Sequence, residues 1–309
     1  MSNHTDIVCG AGPLGLAVTR ALLDAGRPVR LVSRSGRAAV PGAEPVAADL
    51  TDSTAAAKAF DGAEVVYHCA SVPRPSWTSH LAPLMDNIVG GAAEHGASVV
   101  YADNLYAYGP VTGPLTEELP YAPQGPKERV RAELAETLMS AHRDGRVRAT
   151  IGRASDFFGP HVTVSNMGDR VFPAALGGKA AKLLPGVETP HTYTFIDDFA
   201  RALVVLGSNE TAYGQAWHVP SAPTLTTREF VELVYAEVGA KPKLSVLPKP
   251  AIGALSLVNA TMRDVRETLH QSERSFIVDH SKYEKAFGAP TTPHAEAIRA
   301  TLAWYRTKS

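Results

Sequence analysis

Gly10, Gly12 and Gly15 stand in the spacing G-x-G-x-x-G directly after an apolar run, Ile7-Val8-Cys9. Residues in this order suit a backbone cradle for a diphosphate. The first glycine permits a tight turn, the second lets main chain approach the pyrophosphate, and the third lets a helix pack close against a strand. Pro13 and Leu14 open a helical pattern in which Leu14, Val18, Leu22 and Ala25 recur at three- and four-residue intervals, and Gly26 closes it. Unpaired N–H groups and about +0.5 charge of macrodipole at the start of such a helix attract an anion. Roughly 20 residues further on, an acidic side chain would grip a ribose 2′-hydroxyl. Ser33-Arg34-Ser35-Gly36-Arg37 stands there instead. Arg34, with Arg37 close by, suits a 2′-phosphate, so the stretch reads as a nicotinamide dinucleotide site that favours NADP(H) over NAD(H).

The elements that must hold this cradle follow from the period of the apolar residues. Strands are predicted at 7–9, 29–33, 46–48, 64–70, 98–101 and 148–152, with helices at 14–25, 53–60, 81–95 and 127–143. Strands alternating with helices imply right-handed crossovers and a parallel sheet covered on both faces. The expected fold is therefore α/β, a Rossmann-type doubly wound parallel sheet with a smaller C-terminal substrate lobe. Residues 1–155 form the nucleotide domain, 192–207 return to it, and 156–191 with 208–309 make the lobe. Within that second half the pattern predicts a strand at 192–196 returning to the core and helices at 198–206, 226–238 and 294–306. A last strand is predicted at 276–279. Thr226 and Glu229 have capping-box spacing.

Composition narrows the function classes. The 309 residues are 45% hydrophobic with a formal net charge of −1, which leaves no basic footprint for nucleic acid. No apolar run approaches the ~20 residues of a membrane helix, and the first strand leaves no room for a signal peptide; a cytoplasmic protein is expected. Two cysteines, Cys9 and Cys69, exclude a disulfide framework and read as small buried residues. Eleven histidines show no metal-ligand spacing, so no metal is expected. The expected partner is a small-molecule substrate, with a homodimer possible.

Further matching pieces lie at Asp49-Leu50, Tyr67 to Ser71, Asn87, Ala107-Tyr108-Gly109, Arg153 to Pro160 and Tyr193 to Ala202. In this order they resemble the extended branch of the short-chain dehydrogenase/reductase superfamily, the NAD-dependent epimerases and dehydratases, over nearly the whole chain. The resemblance implies that Asp49 and Leu50 meet the adenine, that Cys69, Ala70 and Ser71 lie along the cofactor, that Asn87 belongs to the nucleotide site, and that Phe157 to Pro160 begin the substrate lobe. It also implies a Tyr-x-x-x-Lys pair, in which lysine lowers the tyrosine pKa so that the phenol exchanges a proton near neutrality. None of the ten tyrosines has lysine four residues later. Alignment on Glu133 puts Gly125 in the tyrosine slot and Arg129 in the lysine slot, while Asn104, preceded by Asp103, takes the Ser/Thr position.

Other residues must then handle the proton. Val130, Leu134 and Leu138 form the inward stripe of the 127–143 helix, and Lys127 falls near it, whereas Arg129 points largely away. Tyr121 and Tyr106 are candidate donors, Asn104 can orient a carbonyl, and Asp103 or Asp156 can act as a base. Their blander readings are a helix-start lysine in solvent, buried phenols and a strand-end turn. His161 and His191 read as solvated loop histidines, and Asp197 and Asp198 as helix caps. Three functions remain open: an NADP(H)-linked oxidoreductase without the usual pair, a non-redox epimerase, dehydratase or cyclase, and an inactive NADP-binding regulator.

Overall fold

The computed structural model describes residues 5–308. Six strands follow the predicted order: β1 (Thr5–Cys9), β2 (Val29–Ser33), β3 (Glu44–Ala47), β4 (Ala63–His68), β5 (Ser98–Asp103) and β6 (Ala149–Arg153). All pair in parallel, in the order β6-β5-β4-β1-β2-β3. Strand order reverses between β1 and β4, which opens the crevice at the carboxyl ends where such sheets bind ligands. Alternation along the buried strands sorts their side chains. Val8 and Tyr67 face a layer made by α1 (Pro13–Asp24) and the helix Ile196–Ser208. Ile7, Cys9 and Val66 face α2 (Ser53–Ala59), α3 (Trp77–Glu94) and α4 (Pro126–Arg143) on the other side. Two apolar cores, one per face, thus fix the sheet between helical layers.

Three expectations are corrected. A seventh strand, Ala216–His218, pairs with β6 and forms the sheet edge, so the C-terminal half supplies sheet as well as lobe. The strand expected at 192–196 is Tyr193–Phe195, and it pairs with β7 (Asp156–Phe158) in a separate two-stranded unit rather than with the core sheet. Residues 276–279 make isolated bridges, Phe276 to His191 and Val278 to Leu115, instead of a strand. The helix Thr227–Glu237 carries the expected box, with Thr226 accepting from the Glu229 N–H and Glu229 accepting from Thr226. Asp197 and Asp198 sit in the first turn of Ile196–Ser208, but the N-cap is Phe195; Asp198 instead holds Arg201 and Thr292. Among the described residues no helix is long and apolar enough to cross a membrane. Nor do three or more His, Cys, Asp or Glu side chains among them gather as a metal site.

Two interior histidines make stability depend on acid. His68 ends β4 and His218 ends the edge strand, both buried. Burial, and then Arg131 beside His68 and Arg153 beside His218, pushes each imidazole down to about 3. The unfolded chain takes up those protons near 6.5. Because the folded values are depressed, the contribution is complete above that pH and is lost as pH falls toward 3. The limiting slope is about 1.4 kcal/mol per pH unit for each group. Urea unfolding at pH 7 and pH 5 should show this loss, and a His68→Gln, His218→Gln double variant should flatten it. An undiminished loss in that variant would assign the acid sensitivity elsewhere.

Candidate active site

The glycine turn is built as its spacing predicts. Gly10 adopts φ +98°, and a Cβ there would lie 2.8 Å from Ala70 Cα on the neighbouring strand's extension. A Cβ on Gly15 would overlap the Gly10 carbonyl oxygen, so helix and turn touch backbone to backbone. Gly12 differs: it is the N-cap of α1, has no side-chain cap, and a Cβ there would meet nothing within 4 Å. The first-turn N–H groups of α1 therefore open onto free space, which fits a diphosphate.

That space is one continuous cleft of about 1090 Å³. Gly10, Gly12, Pro13 and Leu14 line its nucleotide end with Ser33, Arg34, Asp49, Leu50, Cys69, Ala70 and Ser71. Arg34 is exposed on its wall. Asp49 accepts from the Thr51 N–H at 3.0 Å and hydroxyl at 2.8 Å, and these bonds hold its carboxyl below the usual range. Gly15 and Asn87 are not walls. Asn87 works from behind, donating to the Leu50 carbonyl at 3.1 Å and so fastening the loop that carries Asp49. Burial pushes the Cys69 thiol up to about 12, which makes it a neutral wall residue.

The far end of the cleft is lined by Trp77, Asp103, Asn104, Tyr106, Arg131 and Asp156, and Phe157, His161 and Phe276 also line the cleft. Asp103 is no free base: Oδ1 accepts from Arg131 at 3.3 Å and Oδ2 from Arg153 at 3.2 Å, all three buried. Arg153 continues to the Tyr108 hydroxyl at 2.7 Å and to the Tyr121 hydroxyl, and Tyr108 reaches His218 Nε2 at 2.9 Å. Tyr121 is thus held by Arg153 and does not line the cleft. Asn104 Oδ1 accepts from the Tyr106 N–H at 3.0 Å, a strand-end turn that leaves the amide Nδ2 for a ligand. Burial raises the Tyr106 phenol, so it stays protonated.

Lys127 does not reach the cleft either, nor does it lie in solvent. Its ammonium is buried against Asp264 and lies 3.7 Å from Glu267, both on the helix Ala260–Glu267. The long-range packing of that helix over the start of α4 explains the difference. Arg129 is exposed and donates to the Gln124 carbonyl. The side chains that face inward at four-residue spacing are Lys127 and Arg131, and Arg131 is the one that enters the cleft. Arg131 donates to the Tyr101 hydroxyl at 2.7 Å, stacks its guanidinium 4.3 Å from the Trp77 ring centre, and keeps a buried Nε with no partner. Nothing in the immediate sequence of Arg131 or Arg153 marks this role, except that Arg131 lies one turn beyond Lys127 on the same inward stripe.

Asp156 lines the cleft. His161 lies at the cleft wall with φ +68°. His191 is buried rather than solvated, because its backbone bridges to Phe276 and pairs with Leu225.

A parallel sheet, a glycine cradle at its switch point and one cleft along its carboxyl edge define a Rossmann-type dinucleotide fold. Residues 7–219 match the NAD dependent epimerase/dehydratase family, and the chain belongs to that family. A curated relative, 3beta-hydroxysteroid-dehydrogenase/decarboxylase isoform 2 of Arabidopsis thaliana, is 26% identical across 87% of this chain. The match spans about half (52%) of that relative's length. Among solved structures, a dTDP-glucose 4,6-dehydratase double mutant from Streptomyces venezuelae with NAD bound superposes with TM-score 0.78 and 20% identity, covering 97% of this chain and 96% of the other. A UDP-glucose 4-epimerase from Thermotoga maritima superposes with TM-score 0.79 and 17% identity, covering 98% and 99%. Both likenesses are of fold.

Proposed function

We propose that the protein is an NADP(H)-linked oxidoreductase acting on a carbonyl or alcohol of a small molecule. The observation that carries this reading is the single cleft running from the uncapped start of α1 to the wall formed by Asn104, Tyr106 and Asp156. When bound, the nicotinamide supplies a site that gives or accepts hydride. The chain's own groups bind and orient. The α1 turn takes the diphosphate, and Ser33 with Arg34 takes the 2′-phosphate. The Asn104 amide steadies the substrate oxygen, and the Tyr106 hydroxyl, kept protonated by burial, donates to that oxygen during reduction.

A second reading has its own support. Burial alone would raise the Asp156 carboxyl, but His191 and Asn166 outweigh it and hold the carboxyl below its usual range. An ionised carboxylate at the reacting end is the base that an epimerase or dehydratase requires. A panel of carbonyl compounds separates the two: stoichiometric loss of NADPH absorbance supports reduction, and product without net change supports the second reading.

The dinucleotide preference has a direct check. Arg34→Asp should weaken NADPH by at least about 10-fold, the lower end for a charge-assisted bond, while NADH changes little. Equal weakening of both nucleotides would remove the preference.

A further inference from the structure

Behind Asp156 lies a small cavity of about 20 Å³, room for roughly one water. Asp156 lines both this cavity and the main cleft. Asn166 Nδ2 donates to Oδ2 at 3.0 Å, and buried His191 Nε2 lies 3.3 Å from the same oxygen, within ion-pair distance but outside hydrogen-bond geometry. Both partners converge on one oxygen, and Oδ1 takes no hydrogen bond from the described residues.

His191 is buried among aromatic rings. It is 4% exposed, with its ring packed against Tyr193 (centroids 4.7 Å apart) and Phe276 (5.0 Å, 18° from parallel). Phe276 is itself a cleft wall. The charged and titratable groups facing the pair are Arg170 and Lys182 across the small cavity, Tyr193 beside the imidazole, and Arg74 and Tyr106 from the cleft side.

We propose that His191 and Asp156 work as one unit, in which the imidazole holds the carboxylate as a hydrogen-bond acceptor for a donor group of the substrate. The substrate class that fits is a polar molecule with a hydroxyl or ammonium next to its reacting carbon, because Oδ1 can only accept. His191 is then a positioning residue, and Asp156 the residue that touches substrate. This rests on the reading that substrate occupies the far end of the cleft.

The test follows the Asp156 side-chain carboxyl by ¹³C NMR titration in wild type, His191→Phe and His191→Gln, each with and without NADPH. Phenylalanine preserves the ring stack and removes the nitrogen beside Asp156, and glutamine restores an N–H. The Asp156 midpoint should rise by about one pH unit in His191→Phe and return part of the way in His191→Gln. NADPH affinity should stay within twofold in both. An unchanged midpoint in His191→Phe overturns the pairing, as does a glutamine variant that behaves like phenylalanine. Because this readout needs no turnover, the pairing can stand when the carbonyl panel is silent, so failure of the oxidoreductase reading is told apart from failure of the pair.

Discussion

Asp103→Ala will destabilise the protein by about 3–5 kcal/mol, the range for removing one partner of a buried ion pair. The carboxylate at the end of β5 is wedged between two guanidiniums, Arg131 from α4 and Arg153 from β6, and all three side chains are buried. Deleting it leaves two like charges facing each other without a counter-ion. The Tyr101, Tyr108 and Tyr121 hydroxyls that solvate those guanidiniums offer dipoles but no charge. Asp103→Asn keeps the shape and loses the charge, so it should fall between wild type and alanine. Urea unfolding measures both. A loss below 1 kcal/mol for Asp103→Ala would show that the arginines find other partners. The same carboxylate therefore reads as a brace for the cleft floor, with both oxygens already occupied.

Gly15→Ala is the second large effect. The added methyl would overlap the Gly10 carbonyl oxygen, and neither side of that contact is a flexible side chain. Gly10 cannot retreat freely, because its own Cα side abuts Ala70 and its N–H is bonded to the Val32 carbonyl at 2.8 Å. The start of α1 must shift away from β1 instead, which opens the packed core and moves the N–H groups meant for the diphosphate. Overpacking of this kind costs about 1–3 kcal/mol or more, and NADPH affinity should fall by at least about 100-fold, equivalent to about 2.7 kcal/mol. Gly12→Ala is the contrast: its Cβ points into open space, so folding is spared and any loss is confined to binding. Calorimetric titration with NADPH, beside thermal unfolding of both variants, checks the pair. Equal binding by Gly15→Ala and wild type would refute the account of the cradle.

The parts of this fold that were readable from the chain are those encoded locally. The apolar runs of β1, β2, β4 and β5 and the helical stripes of α1 and α4 carry their own period. The G-x-G-x-x-G turn states its geometry in three residues. What escaped was set by partners distant in sequence. The edge strand Ala216–His218 is three residues long and becomes a strand only by pairing with β6. Arg131 and Arg153 carry charges that usually mark solvent, and only folding brings Asp103 between them. Lys127 lies on the inward stripe that its spacing predicts, yet the helix Ala260–Glu267 covers it, Glu267 coming from 140 positions away in the chain. His191 looked like a loop residue because nothing nearby in sequence reveals the aromatic rings that enclose it.

The edge strand has a consequence for how such a protein can be rebuilt. It lies in the chain between segments that line the cleft, 156–165 before it and Gln271 and Phe276 after it, yet its Trp217 sits in the same core as β1 and its His218 is tied to the cleft floor through Tyr108. The chain leaves the nucleotide scaffold after β6 and comes back to finish it. A chimera joined at residue 155 would therefore inherit a foreign sheet margin along with a foreign lobe. Exchanges at loop tips within the covering segments leave both sheet margins with their original neighbours.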